Sequence, residues 1–308
     1  MPRTIHSATT LLLLTAALCC PALAHAATPS ASAGPPLEWK WQRFRAWEYP
    51  ASAAALGLAF YLRFAGPTPS ADWKGGILFD DWVSERASIQ STTQRRRVAK
   101  LTDLFFYGSM GYRFVDSALV PSLVWRSPDV AFQMTMIDLE SFAFVSITLW
   151  GTQALFGRER PLADHCADPA FSASEHSCLP SSNEHNRSFY AGHPAVVLTA
   201  AGLTCTHHSH FPLYGGGAGD TLACGMMIGA AAMTGVGRIV TDNHHASDVV
   251  VGYGIGAFAG WALPAILHYR HRSPALTQAR SSGPPVIQAT LIPMLDEHQL
   301  GLGLGGIF

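Results

Sequence analysis

The chain is short of charge. Only 13% of its 308 residues are Asp, Glu, Lys or Arg, 48% are hydrophobic, and the formal net charge is −1. That near-neutral balance carries no sign of nucleic acid as a partner and none of a strongly acidic one. Low charge beside an apolar excess departs from soluble composition and leans towards a membrane protein with a bilayer as partner. No internal repeat is apparent. Gly252, Gly254, Gly256 and Gly260 follow no strand, so close helix packing accounts for them better than a nucleotide loop.

The N-terminus reads as an export signal over residues 1–26. Arg3 supplies the positive region, "LLLLTAALCCPALA" the apolar core, and Ala24 or Ala26 a cleavage site. An uncleaved anchor helix is the alternative. Cys19 and Cys20 leave with the signal, and bulky Leu18 before Cys19 argues against a lipoprotein. Four cysteines remain: Cys166, Cys178, Cys205 and Cys224. In an oxidising compartment Cys166 and Cys178, within one loop, are expected to pair. Cys205 and Cys224 lie in apolar runs and read as small buried residues. Residues 27–49 begin as a linker, "ATPSASAGPP". "LEWKWQRFRAWEYP" follows, its Trp39, Trp41 and Trp47 interleaved with Lys40, Arg43 and Arg45, as suits a membrane interface.

Six apolar runs, 50–66, 103–125, 131–156, 193–206, 221–240 and 246–268, predict an all-α six-helix bundle over residues 50–272. The last two approach the span of about 20 residues that a bilayer requires. Arg63, Arg113, Asp116, Asp138 and Glu140 interrupt the earlier runs and are expected to face the bundle interior, with buried partners. The intervening polar stretch, with Arg95, Arg96, Arg97 and Lys100, predicts a solvated face or a cytoplasmic positive loop. "HHSH" (207–210) reads as a polar loop closing the fourth helix. Residues 273–308 form a tail with an expected short β-hairpin.

Three stretches share arginine or histidine at the mouth of an apolar helix: "FGRERPLADHC" (156–166), "RSFYAGHPAVV" (187–197) and "GRIVTDNHHASDVVVG" (237–252). Alternating helix direction places all three at one end of a bundle. Gly192 permits a tight approach, His193 sits at the helix start, and Pro194 fits the first turn. The free N–H groups and dipole there favour an anion. Arg160 and Arg238 add planar forks suited to phosphate. His244 and Asp248, four apart, would share a helix face, leaving one imidazole nitrogen free as a nucleophile. His245 is rotated away and takes no role.

These residues resemble the type 2 phosphatidic acid phosphatases (PAP2), vanadium haloperoxidases and class A acid phosphatases. That superfamily's pattern is Lys-x6-Arg-Pro, Pro-Ser-Gly-His and Ser-Arg-x5-His-x3-Asp. Here it is matched at Arg160-Pro161, at Gly192-His193 and at Arg238, His244 and Asp248. Gln153, Tyr190-Ala191 and Gly237 depart from it, removing one cation and two hydroxyls. Arg158 is the expected substitute for the missing lysine. The resemblance implies a phosphatase in which His244 attacks phosphorus, Asp248 orients it and His193 is general acid, then base. Arg160, Arg238, Arg158 and the backbone at Gly192 would bind phosphate, with no metal. Its partner would be a phosphorylated lipid or small phosphoester. A vanadate-dependent haloperoxidase and a catalytically degenerate membrane protein are the other readings. A cleaved signal and six spanning helices put the cleft on the cytoplasmic side, whereas a Cys166–Cys178 disulfide requires the opposite. The reading adopted is an exported, membrane-associated protein of the bacterial cell envelope with a periplasmic active site.

Overall fold

A computed structural model describes residues 35–66, 73–167, 178 and 183–271, and the backbone of strands 288–296 and 299–307. The expected signal peptide, the start of the expected linker and residues 272–287 lie outside the described residues.

The first helix, α1 (Glu48–Phe64), begins on an acidic residue and has Arg63 in its last turn, both favourable to the helix dipole. A short further helix, α2 (Asp80–Ala87), follows. Ser91 caps α3 (Thr92–Phe114), which runs on as π-helical turns through Val115–Val124 around an internal Pro121. Thus α3 begins at Thr92, and Arg95 to Lys100 lie on its first turns. Pro128 opens α4 (Pro128–Phe156), which stops at Gly157 in the left-handed region (φ 42°). Then come α5 (Gly192–His210), α6 (Ala218–Val240) and α7 (Ala246–Ala257), the last continuing helically to Tyr269. Strands Gln288–Asp296 and Gln299–Ile307 pair antiparallel.

Helix α5 is the axis, buried along most of its length by its neighbours. Small residues permit this: a Cβ at Gly256 of α7 would stand 2.5 Å from the carbonyl of Ala195. Residues Pro128–Phe156, Ala218–Val240 and Ala246–Tyr269 are each long and apolar enough to cross a membrane. Apolar side chains such as Tyr107, Leu123, Met226 and Val250 stand outward.

The segment before α1 differs from the interfacial expectation. Trp39 and Phe44 are buried in the core with Phe211 and Tyr269, and Arg43 grips Asp129 through two bonds of 2.5 and 2.7 Å. Its aromatics cover the bundle, and Trp47 alone of the three tryptophans is exposed.

The interior charges found partners. Arg113 reaches Asp138 at 2.9 Å, Asp116 at 2.5 Å and the Thr204 hydroxyl at 3.1 Å. Burying an ion costs several kcal/mol, roughly, unless it is so paired. Arg63 pairs with Glu184 at 3.1 Å and Glu140 with His268 at 3.0 Å. Two expectations fail at the far end. His207 and His208 are buried in α5, bonded to Asp138 at 2.9 Å and Asp116 at 3.1 Å, so they extend the charged network and form no loop. Cys205 and Cys224 are disulfide-bonded, because the α5–α6 turn sets their Cα atoms 4.6 Å apart. Cys166 and Cys178 are bonded as expected.

Candidate active site

The first turns of α3, the segment after α4, the start of α5, the end of α6 and the turn before α7 line a cleft of about 240 Å³. His244 is not among its lining residues and lies buried just beyond Asn243. Arg95, Arg96, Asp103, Arg160, His193 and Arg238 are among its lining residues. Arg160, His193 and Arg238, predicted from three separate stretches, are therefore together. Gly192 begins α5 and closes against Leu149, where a Cβ would meet a methyl group at 2.7 Å. The first turn of α5 thereby delivers His193 to the cleft wall.

Arg160 donates to Asn243 at 3.3 Å and meets Glu184 at 3.5 Å. Arg238 donates to the Thr102 hydroxyl and to Asp103, both at 3.3 Å. Thr102 stands against the bare backbone of Gly237. A Cβ at 237 would lie only 2.4 Å from the Thr102 methyl group, so α3 packs here against a glycine. One hydroxyl is removed from the motif and another reaches the same arginine from α3.

Asp103 carries no signal in the sequence beyond opening an apolar run, yet it joins the site. Its carboxylate lies 3.1 Å from His193 Nε2 as well as 3.3 Å from Arg238. The His193 hydrogen bond, then the Arg238 charge, hold Asp103 below the usual carboxylate range against the opposing effect of burial. Burial and the Arg238 charge lower His193 to about 4, with Asp103 pulling the other way. His193 is therefore neutral near pH 7 until an anion enters the cleft.

His244 is 2% exposed and is not held as expected. It precedes the helix: His245 occupies the cap of α7, and Asp248 lies in the first turn. His244 Nδ1 is 3.9 Å from the Asp248 carboxylate, beyond a hydrogen bond. It lies instead 2.8 Å from the carbonyl of Ser188. A carbonyl only accepts, so Nδ1 carries the proton and Nε2 keeps its lone pair. Asp248 acts one step back, accepting from the Ser188 hydroxyl at 2.6 Å and from the His245 amide at 3.0 Å. Burial, with the charges of Arg160 and Arg238, holds His244 well below its usual protonation range. His245 does have a part, as the α7 cap whose Nε2 meets the Glu159 carbonyl at 3.2 Å.

Arg158 is not at the cleft. It is 1% exposed, with a guanidinium bonded to Asp248, Ser247 and Asp80. Its guanidinium, expected to replace the missing lysine, is instead taken up by these buried partners. Gln153 is buried too, and its amide donates to the Tyr190 carbonyl at 3.3 Å. The position thus ties α4 to the loop before His193. Ser188 and Asp80 were also unforeseen, because their partners are remote in sequence. Glu48, Glu140 and His268 form the described group able to hold a metal ion, and none of them lines this cleft.

The profile of the PAP2 superfamily matches residues 139–272. No curated protein matches the chain. Among solved structures it is similar to one described as the first transmembrane PAP2 type phosphatidylglycerolphosphate phosphatase from Bacillus subtilis. The two share 14% identity with a TM-score of 0.39, over 71% of this chain and 94% of that one. That likeness is too slight to carry an argument. The profile match spans residues that hold all three motifs: over 139–272 the chain is similar to the PAP2 superfamily, with departures at Gln153, Tyr190, Ala191 and Gly237.

Proposed function

We propose that the protein is a metal-independent phosphatase cleaving a phosphomonoester or pyrophosphate, borne by a lipid, through a phosphohistidine. The observation that carries this is the fixed tautomer of His244: Nδ1 is committed to Ser188, which leaves Nε2 as the nucleophile. His244 Nε2 forms a bond to phosphorus as the bond to the leaving oxygen breaks. That oxygen takes a proton from His193. Water then gives a proton back to His193, its oxygen attacks phosphorus, and the N–P bond breaks to release phosphate. Burial, then the Arg238 charge, keeps His193 neutral; the incoming phosphate's charge opposes the Arg238 field and so raises His193 towards the protonated form that the first step needs. Arg160, Arg238 and the N–H groups opening α5 stabilise the charge on the phosphoryl oxygens, usually the largest catalytic effect.

A bilayer location is supported by the three long apolar helices. Export with a periplasmic cleft is supported by Cys166–Cys178, in the loop that follows Arg160. Phosphate release from a lipid phosphate should survive chelator, be blocked by vanadate and vanish in His244→Ala. Full activity in that variant excludes the mechanism.

A further inference from the structure

We propose that Arg158 and Asp80 form a positioning unit that holds both supports of His244 without touching phosphate. The proposal rests on the phosphatase reading above. Arg158 grips from two ends. Its carbonyl accepts the Ser188 N–H at 3.0 Å, and Ser188 in turn offers its own carbonyl to His244. Its guanidinium donates to Asp248 and, at 2.9 Å, to the Ser247 hydroxyl. Asp248 closes the loop by accepting from the Ser188 hydroxyl. The other guanidinium edge donates to Asp80 at 2.8 Å and to the Gly75 carbonyl at 3.2 Å, and the Trp73 ring lies 4.3 Å beneath.

Asp80 fixes this assembly to the first turn of α7. Its carboxylate accepts the Ser247 amide at 2.7 Å, the Ser247 hydroxyl at 2.6 Å and the Ile77 amide at 2.9 Å. Both carboxylates and the guanidinium between them are fully buried. One cation is thus divided between two anions. Neutralising Asp80 leaves the whole charge of Arg158 on Asp248, which then competes less well for the Ser188 hydroxyl. Ser188 loosens, and with it the ring of His244. A near-attack geometry lost by about an ångström costs about a hundredfold in rate. Phosphate binding, which falls to Arg160 and Arg238, stays as it was.

The test is Asp80→Asn, which preserves shape, read with p-nitrophenyl phosphate turnover, calorimetric vanadate binding and nitrogen NMR of the His244 imidazole. The expected result is a kcat lower by about a hundredfold, unchanged KM and vanadate affinity, and loss of the single Nδ1–H tautomer. Wild-type kcat in a folded variant, or a loss of vanadate affinity in step with activity, overturns the proposal. If Asp80→Asn does not fold, Arg158→Lys keeps the charge without the fork and is judged on the same readings. The phosphatase reading fails separately, if wild type and His244→Ala turn over alike. The tautomer still decides the positioning role in that case, since NMR needs no turnover.

Discussion

Restoring the family's serine at position 237 should harm this protein. A Cβ there lies 2.4 Å from the Thr102 methyl group and 3.4 Å from that of Val98, both on α3. Ordinary contact between carbons is about 3.5–4.0 Å, so α3 and α6 must part by roughly an ångström or Thr102 must leave its rotamer. Overpacking of this kind costs about 1–3 kcal/mol, or roughly 2–4 °C of melting temperature per kcal/mol in a domain of this size. Thr102 also accepts from Arg238, so the displacement moves an arginine proposed to bind phosphate. Gly237→Ser should therefore melt several degrees lower and bind vanadate more weakly, despite its added hydroxyl. Thr102→Ala removes the obstructing methyl group. The double variant should recover most of the loss, with a coupling of about 1 kcal/mol or more in a double-mutant cycle. Thermal unfolding and vanadate titration of the four proteins decide it. A Gly237→Ser variant as stable as wild type, with equal vanadate affinity, refutes the packing argument.

The sequence made the bundle end legible because helix direction alternates, which is topology and needs no contacts. Arg160, His193 and Arg238 were placed together on that ground, and the cleft contains all three. The errors have separate physical causes. Where a helix begins fixes which residues share a face: the apolar run marked its start at 246, as found, yet the four-residue spacing of His244 and Asp248 was read as helical. Arg158 looked like a phosphate ligand because its carboxylate partners, 78 and 90 residues away, leave no mark on nearby spacing. Asp103 is similar: only the packing of α3 beside α5 and α6 puts its carboxylate between His193 and Arg238. Cys205 and Cys224 pair across a helix turn whose tightness composition does not reveal.

Acid should destabilise the protein through His193 in the cleft. His193 is held at about 4 against an ordinary 6.5, so between those values the unfolded chain binds a proton that the folded chain refuses. Its contribution is intact near pH 7 and falls by about 3 kcal/mol on acidification to pH 4. Denaturant unfolding of wild type and His193→Gln should show that excess loss in wild type alone, and parallel pH profiles contradict it. Because Asp103 pulls His193 upward, Asp103→Asn should move the basic limb of kcat/KM to lower pH, and an unmoved limb separates the pair. Peptide mapping without reductant, with thiols blocked in the cell, should recover both Cys166–Cys178 and Cys205–Cys224. A free Cys166 thiol speaks against a periplasmic cleft.

The central claim is that Nε2 of His244 takes the phosphoryl group, and trapping that intermediate tests it most directly. Protein mixed with a lipid phosphate, quenched in alkali to preserve phosphohistidine and digested, should carry one phosphoryl group on the peptide containing His244. The label should build up in His193→Gln given a substrate with a good leaving group, because water activation in the second step is then lost. Turnover that proceeds with no phosphoryl label on His244, or with the label on another residue, contradicts the account.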